Sequence, residues 1–422
     1  MTKTTGAVRP ASRSLFNGSN SQRTPVAVVA GIAASAMLLA ACGSSAESAD
    51  SSKTIKLGSF APLGGPSVAS GNYAKGAKVC FQQTNAAGGV NGYKFDYKIL
   101  DDQYNPARTP SVTRVLVEKE KVFALVSTVG TAQLLAVKGY LDSHKVPVVG
   151  AGAGGATAAS DGIYLFLQDY ANEGAFQMRF ASENFPGEKL GAIYQNDAVG
   201  QPNLIGYRAQ AKALGLRDFT AVPYTIGASD LAPQVSKLKA EGVQVVMDAG
   251  ASDFPRIVKA MDALNYHPKI VTASYNATTA ILRALPKEST EGKMFFSSIT
   301  PPPNDPALAD LRAGFTKYEP NLVPVPGTSI LGYAGCLIFK DAFKKMTDGG
   351  AKPTRAGLLK VLNGFKGYSN LLAKNITYAP TPGVKSPHAP RPDMEVWTFK
   401  DGEVSVLKEA SPVPKVPGEP TQ

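Results

Sequence analysis

The stretch 121–157, KVFALVSTVGTAQLLAVKGYLDSHKVPVVGAGAGGAT, constrains the fold more than any other part of the chain. Residues 122–126 form an unbroken apolar run of the length that a strand buried on both faces needs. The small polar residues Ser127, Thr128, Gly130 and Thr131 follow it directly. Leu134, Val137 and Leu141 then recur at helical spacing, and residues 147–149 open a second short strand that runs into a glycine-rich loop at 150–157. In an open parallel sheet, ligands bind in the crevice outside the carboxyl ends of the strands. The loops after these two strands are therefore expected to form one wall of a binding cleft.

The rest of the chain repeats the same alternation. A strand opens at 53–59, and Tyr73, Ala77, Cys80, Phe81 and Thr84 share one helical face. The turn-forming run NAAGGVNG at 85–92 separates that helix from a strand at 95–100, which ends in Asp101 and Asp102. After an extended piece at 164–167, residues 168–173 read as a polar linker, and a second strand-helix series follows to residue 272. Strands are expected at 190–194, 219–224, 243–247 and 270–272. Helices are expected around Phe176 and Phe180, Leu204 to Leu214, Leu231 to Leu238, Phe254 to Leu264, and later over 308–318 and 331–346. Residues 395–399 and 404–407 flank an Asp-Gly turn and predict a hairpin. Such alternation argues for an α/β protein with parallel sheets covered on both faces, in two similar halves.

At 422 residues, two domains are the expectation. The formal charge of +11 includes Lys3, Arg9, Arg13 and Arg23 in an acid-free leader; the remainder holds 40 basic against 33 acidic residues, spread singly, so no nucleic-acid surface is expected. Residues 26–40 carry no charge and suit the apolar segment of a signal peptide. Leu39-Ala40-Ala41-Cys42 then resembles the lipobox of bacterial lipoproteins, in which the cysteine is acylated; ordinary secretory cleavage is the plainer reading. The Ser-rich stretch after Cys42 has the composition of a flexible tether. Outside the cytosol, Cys80 and Cys336 either form a disulfide or remain buried thiols. Neither has metal-ligand spacing.

Several stretches together resemble the branched-chain amino acid (leucine/isoleucine/valine) binding proteins of ABC transporters, which have the type I periplasmic binding protein fold. They are TIKLGSFAPLGGP, GAKVCFQQTNAAGGVNGYKFDYKILDDQYNP, VFALV with its small polar loop, KVPVV with its glycine-rich loop, and GAIYQNDAVGQ. The resemblance spans roughly 54–408. It implies two doubly wound parallel-sheet lobes joined by three hinge crossovers, with a small ligand captured between them and passed to a membrane permease. The implied division is a signal peptide at 1–41, a tether at 42–53, a first lobe from 54–168 and 299–372, a second from 169–298 and 373–411, and a disordered Pro-rich tail at 412–422. The implied carboxylate seat comprises Ser127, Thr128, Gly130, Thr131, Gly154, Gly155 and Thr157; each hydroxyl is equally suited to a helix cap. On the second lobe, Val199 stands where the family has an aromatic, and the segment expected to carry an ammonium-binding acid reads Thr272-Ala-Ser-Tyr275-Asn276, without one. Asp248 is the replacement, with capping of the next helix as its competing role; Tyr194, Tyr275 and Asn276 complete the second wall.

Other classes fit less well. Gly150-Ala-Gly152-Ala-Gly154-Gly155 satisfies GxGxxG with Asp169 about twenty residues on, but the fingerprint needs a helix at its third glycine, and residues 160–166 read as a turn and an extended segment. No GxSxG, HExxH or CxxC occurs, and His144, His267 and His388 read as surface turn residues. No enzymatic activity, cofactor or metal is expected. A sensory module of the same fold is the alternative to transport.

Overall fold

The apolar runs that alternate with amphipathic stretches become two separate sheets in the computed structural model, which describes residues 53–65, 67–250, 253–378, 388–390, 392–414 and 416. The signal peptide, Cys42 and all of the tether before Lys53 lie outside the described residues. The first sheet is built from β1 (Lys53–Ala61), β2 (Tyr93–Asp101), β3 (Ala124–Val126), β4 (Val148–Ala151) and β5 (Ile163–Leu165), in the order β2-β1-β3-β4-β5 with every pair parallel. Its connections carry α1 (Val68–Ala86), α2 (Thr109–Arg114) and α3 (Thr131–Ser143). β3 and β4 are buried throughout, because helices cover both faces of the sheet.

The chain then crosses to the second sheet through α4 (Tyr170–Asn184) and lays down β6 (Leu190–Gln195), α5 (Gly200–Ala213), β7 (Thr220–Tyr224), α6 (Ala232–Ala240), β8 (Val245–Ala249), α7 (Phe254–Ala263), β9 (Lys269–Ala273), α8 (Thr279–Arg283), α9 (Lys287–Thr290) and β10 (Met294–Ser298). It returns to the first lobe as α10 (Ala309–Tyr318), α11 (Gly327–Thr347) and α12 (Arg355–Asn363), and crosses once more into β11 (Met394–Lys400) and β12 (Glu403–Ser411). The second sheet runs β12-β11-β10-β9-β8-β6-β7. The fold is thus α/β with two lobes and three crossovers. The second sheet is mixed, since β10-β11 and β11-β12 are antiparallel, and the last pair is the hairpin expected at the Asp-Gly turn.

Helix α11 is apolar and buried from Ile330 to Phe339, where it packs between α1 and β4; no helix among the described residues is long and apolar enough to cross a membrane. Close approach of α1 and α11 depends on glycine: a Cβ on Gly332 would stand 1.7 Å from the Tyr73 carbonyl oxygen, and one on Gly76 1.9 Å from that of Ser329. Further along the same contact, Cys80 and Cys336 are joined in a disulfide, Cα atoms 6.3 Å apart. Phe81, Phe95, Phe339 and Phe343 pack edge to face beside it. In the second lobe the single tryptophan, Trp397, is fully buried with Phe296 and Phe399.

The polar linker expected at 168–173 is mostly the first turn of α4. Asp169 caps the helix by accepting from the Ala171 N–H (2.8 Å), and Asn172 and Glu173 are buried rather than solvated. Helices α8, α9 and α12 were not foreseen; all three have fewer than ten residues, too short to give a strong periodicity. The chain also stays with the first lobe past residue 373: Tyr378 packs against Tyr164 and Phe365, and its hydroxyl donates to the Leu165 carbonyl. At the other end, Val416 is buried against Ala171 and Ala175, and Arg179 donates to the Pro412 carbonyl (2.8 Å), so the start of the expected disordered tail lies on α4.

Candidate ligand-binding site

The loops after β3 and β4 are brought together as their position at adjacent strand ends requires. Val129 and Gly152 pair as an isolated parallel bridge, Gly130 N–H donates to the Gly152 carbonyl (3.0 Å), and Gly152 N–H donates to that of Thr128 (2.9 Å). The hydroxyls expected to face a ligand are largely used to hold these loops. Thr131 Oγ1 accepts from Gly154 N–H (2.9 Å), Thr157 Oγ1 donates to the Gly154 carbonyl (2.8 Å), and Ser127 Oγ donates to the Gly332 carbonyl of α11 (2.8 Å). Ser127 therefore points into the first lobe. Gly130 has φ 115°, and Gly154 and Gly155 lead into a short 3₁₀ turn, Gly155–Ala158. Because that turn replaces the long helix a dinucleotide fingerprint needs, and Asp169 caps α4, the GxGxxG match has no structural counterpart. Thr128 differs from its neighbours: its Oγ1 is buried and has no hydrogen-bond partner among the described residues, close to the amino terminus of α3.

Between the lobes lies a small cavity of about 60 Å³. From the first lobe it is lined by Ser70 and Tyr73 of α1, Tyr104 after β2, the Val129 and Gly152 loops, and Thr328 and Leu331 of α11. The opposing wall is Leu167 and Tyr170 at the first crossover, Val199 before α5, and Tyr275 in the 3₁₀ turn Ser274–Asn276 after β9. None of the described lining residues is charged, and four are tyrosines. Of the residues expected from sequence, Tyr275 is on the cavity wall, and Val129 and Gly152 come from the expected loops. Tyr73, Tyr104 and Tyr170 were missed as ligand platforms. Tyr73 shares one helical face with Ala77 and Cys80, and its hydroxyl donates to the Gly150 carbonyl (3.1 Å).

Asp248 and Asn276 sit together behind this wall. Asn276 Nδ2 donates to Asp248 Oδ2 (3.2 Å) and to the Gly250 carbonyl (2.9 Å), and Thr272 Oγ1 donates to Asp248 Oδ2 (2.9 Å). Burial pushes the Asp248 carboxyl up to about 8, against the lowering effect of the Thr272 hydrogen bond. Tyr194 is buried in β6 beside Ala249. A second acid, absent from the sequence expectation, is Glu173. It is 2% exposed, accepts from Ser297 Oγ (3.0 Å), and is pushed up to about 7 by burial. It also carries the leading charge effect on the Tyr275 hydroxyl, whose pKa burial already raises. Its place in an apparent linker hid it; the signal was Glu173 one turn from Phe176 and two from Phe180. His388, expected at the surface, is buried and stacked on Tyr164 with ring centroids 4.2 Å apart.

Residues 54–389 match the periplasmic binding protein family. The chain belongs to that family. The family resemblance read from the sequence is borne out, and so is the fold class. This periplasmic binding protein is 22% identical to the Leu/Ile/Val-binding protein homolog 3 of Brucella melitensis over 84% of this chain and 94% of the relative. In structure it is similar to a fatty acid ABC transporter substrate-binding protein from Thermomonospora curvata, with TM-score 0.74, 21% identity, and coverage of 86% and 95% of the two chains. It is also similar to a solute binding protein of an ABC transporter from Rhodopseudomonas palustris BisB5 in complex with 3,4-dihydroxy benzoic acid, with TM-score 0.72, 17% identity, and coverage of 87% and 99%. The periplasmic binding protein family is one of solute-binding proteins, and the family implies an extracytoplasmic location.

Proposed function

We propose that this chain is the substrate-binding component of an ABC importer, held outside the membrane by a lipid on Cys42, and that it captures a small carboxylate with an apolar or aromatic body. The observation that carries this reading is the uncharged, four-tyrosine cavity between the carboxyl ends of two sheets. Tyrosine rings offer large apolar faces with little side-chain freedom to lose, so they suit an aliphatic or aromatic guest. An anionic group would be received at the first wall, where the Val129 loop leads into the amino terminus of α3. The three crossovers would serve as hinges, and the closed form would be presented to a permease. The ligands named for its relatives, a branched-chain amino acid, a fatty acid and a dihydroxybenzoate, share a carboxylate joined to an apolar or aromatic body.

Calorimetric titration with L-leucine, octanoate and 3,4-dihydroxybenzoate tests this reading. At least one is expected to bind, with affinity reduced about tenfold or more by Tyr275→Ala. Binding of none, or equal binding by the variant, would sink it. For the anchor, Cys42→Ala is expected to move the protein out of the detergent phase on partitioning; retention there would refute acylation.

A further inference from the structure

The cleft lies at the carboxyl ends of the strands, and the first lobe, which forms one side of it, concentrates positive charge. Residues 53–168 and 299–378, which build that lobe, contain 22 Lys and Arg against 12 Asp and Glu, a formal charge of +10. Residues 169–298 and 394–411 of the second lobe contain 15 against 17, or −2. Charges that are spread singly along the chain are thus sorted by the fold, one lobe carrying the excess and the other none. Such asymmetry between halves points to a polyanionic partner for one of them.

Arg355 gathers the amino-terminal edge of the first sheet. Its guanidinium donates to the carbonyls of Val122 (2.7 Å) and Phe123 (2.9 Å), just before β3, and of His144 (3.0 Å), shortly before β4. Asn91, just before β2, donates to the Lys344 carbonyl at the end of α11 (3.2 Å), and Lys53, Tyr93, Asp348 and Gly350 line one pocket there. Six exposed lysines stand on these segments: Lys53, Lys121, Lys145, Lys344, Lys345 and Lys352. Lys344 is paired with Asp348 (3.1 Å), and the other five hold no ion pair among the described residues. Of the neighbouring acids, Glu120 is held by Lys98 and Asp142 by Lys138 (2.8 Å each), and Asp161 stands just before β5. Lysines at helix carboxyl ends offset the helix dipole. The second lobe has its own in Lys212, Lys237 and Lys239 and still carries no excess, so dipole balance does not account for the difference.

The chain enters the fold at this same edge. Lys53 is the first residue of β1, and Cys42 stands eleven residues before it. Eleven residues reach at most about 40 Å. A lipid on Cys42 thus keeps this edge within reach of a bilayer. We propose that the lysine-bearing amino-terminal edge of the first lobe is a docking surface for an anionic phospholipid bilayer. The bilayer as partner rests on the Cys42 anchor proposed above; the asymmetry of charge does not. The lipid sets where the chain is held, and the basic surface beside it sets which face meets the headgroups. With this edge on the membrane, the cleft faces away from the surface, and the second lobe is the one that swings on the crossovers.

The test is co-sedimentation of the full chain carrying Cys42→Ala, which removes the acylation site, with vesicles of phosphatidylcholine alone or mixed with phosphatidylglycerol. Binding is expected only to the anionic vesicles and is expected to fall steeply as salt is raised. Lys53→Gln, Lys121→Gln, Lys145→Gln and Lys352→Gln together are expected to weaken it about tenfold or more, each lysine at an anionic surface being worth about fivefold. Lys212→Gln, Arg217→Gln, Lys237→Gln and Lys259→Gln remove the same charge from exposed positions of the second lobe and are expected to change it less than about twofold. The leader is common to both variants and cancels in their comparison. Unfolding midpoints check that both fold; should the first not, Lys352→Gln alone, expected to weaken binding about fivefold, takes its place. Equal weakening by the two sets, equal binding to neutral vesicles, or retention of a DNA duplex in place of the vesicles overturns the proposal. Neither an acyl group nor a cleft ligand enters this measurement, so its outcome is read separately from the detergent partition and the ligand titrations.

Discussion

The two walls of the cleft solve different problems. On the first lobe, the loops after β3 and β4 are tied by neutral hydroxyl and amide bonds, and the helices behind them are locked by glycine contacts and the Cys80–Cys336 disulfide. On the second, the space behind Tyr275 contains Glu173 and Asp248, both buried and both raised above the usual carboxylate range. Asp102 of the first lobe is raised by burial as well, but it holds its own loop, accepting from Tyr104 N–H and Thr109 Oγ1. One wall is rigid and neutral; the other stores titratable groups beneath an aromatic surface.

The sharpest way to break this contrast is in the rigid wall. Gly332→Val would drive a side chain into the Tyr73 carbonyl and is expected to lower stability by about 3 kcal/mol or more in a denaturant titration. Next in size, Cys80→Ser with Cys336→Ser removes the disulfide and is expected to lose roughly 2–4 kcal/mol by the same measurement, the helices it joins being half of the first cleft wall.

The titratable wall is sharpened by pH. Both acids are raised, so between their unfolded and folded values the native state holds protons that the unfolded chain has released. Stability is therefore fullest below the ordinary carboxylate range and falls as pH rises through about 7 for Glu173 and about 8 for Asp248. Unfolding midpoints between pH 5 and 9 should decline, by a few kcal/mol in total as an order of magnitude, and Glu173→Gln should flatten the part below pH 7. A profile unchanged by that substitution would show that Glu173 is not one of the groups responsible. The smallest effect is expected from Thr157→Val, which removes one buried hydroxyl bond to Gly154 and should lose about 1 kcal/mol of stability.

Much of the architecture was legible in the sequence because buried parallel strands must be continuous apolar runs and their helices must be periodic. The strands from residue 53 to residue 273, the hairpin at Asp401-Gly402 and the cleft loops all follow from that rule. The functional wall was less legible. Residues 168–173 looked solvated because they are polar, yet tertiary burial turns Asn172 and Glu173 inward, and no local pattern distinguishes a solvated glutamate from one that meets Ser297 across the sheet. The hydroxyls of Ser127, Thr131 and Thr157 matched a carboxylate seat by type, but bonds to Gly332 and Gly154 engage them first.

By itself, then, the amino-acid order determined the periods: where strands and helices lie, that sheets are covered on both faces, and which strand ends face a cleft. Only the tertiary structure decided which polar atoms remain without partners there. Periodicity is a property of neighbours in the chain, whereas whether Thr128, Tyr224 or Asp248 is satisfied depends on groups brought beside it from distant segments.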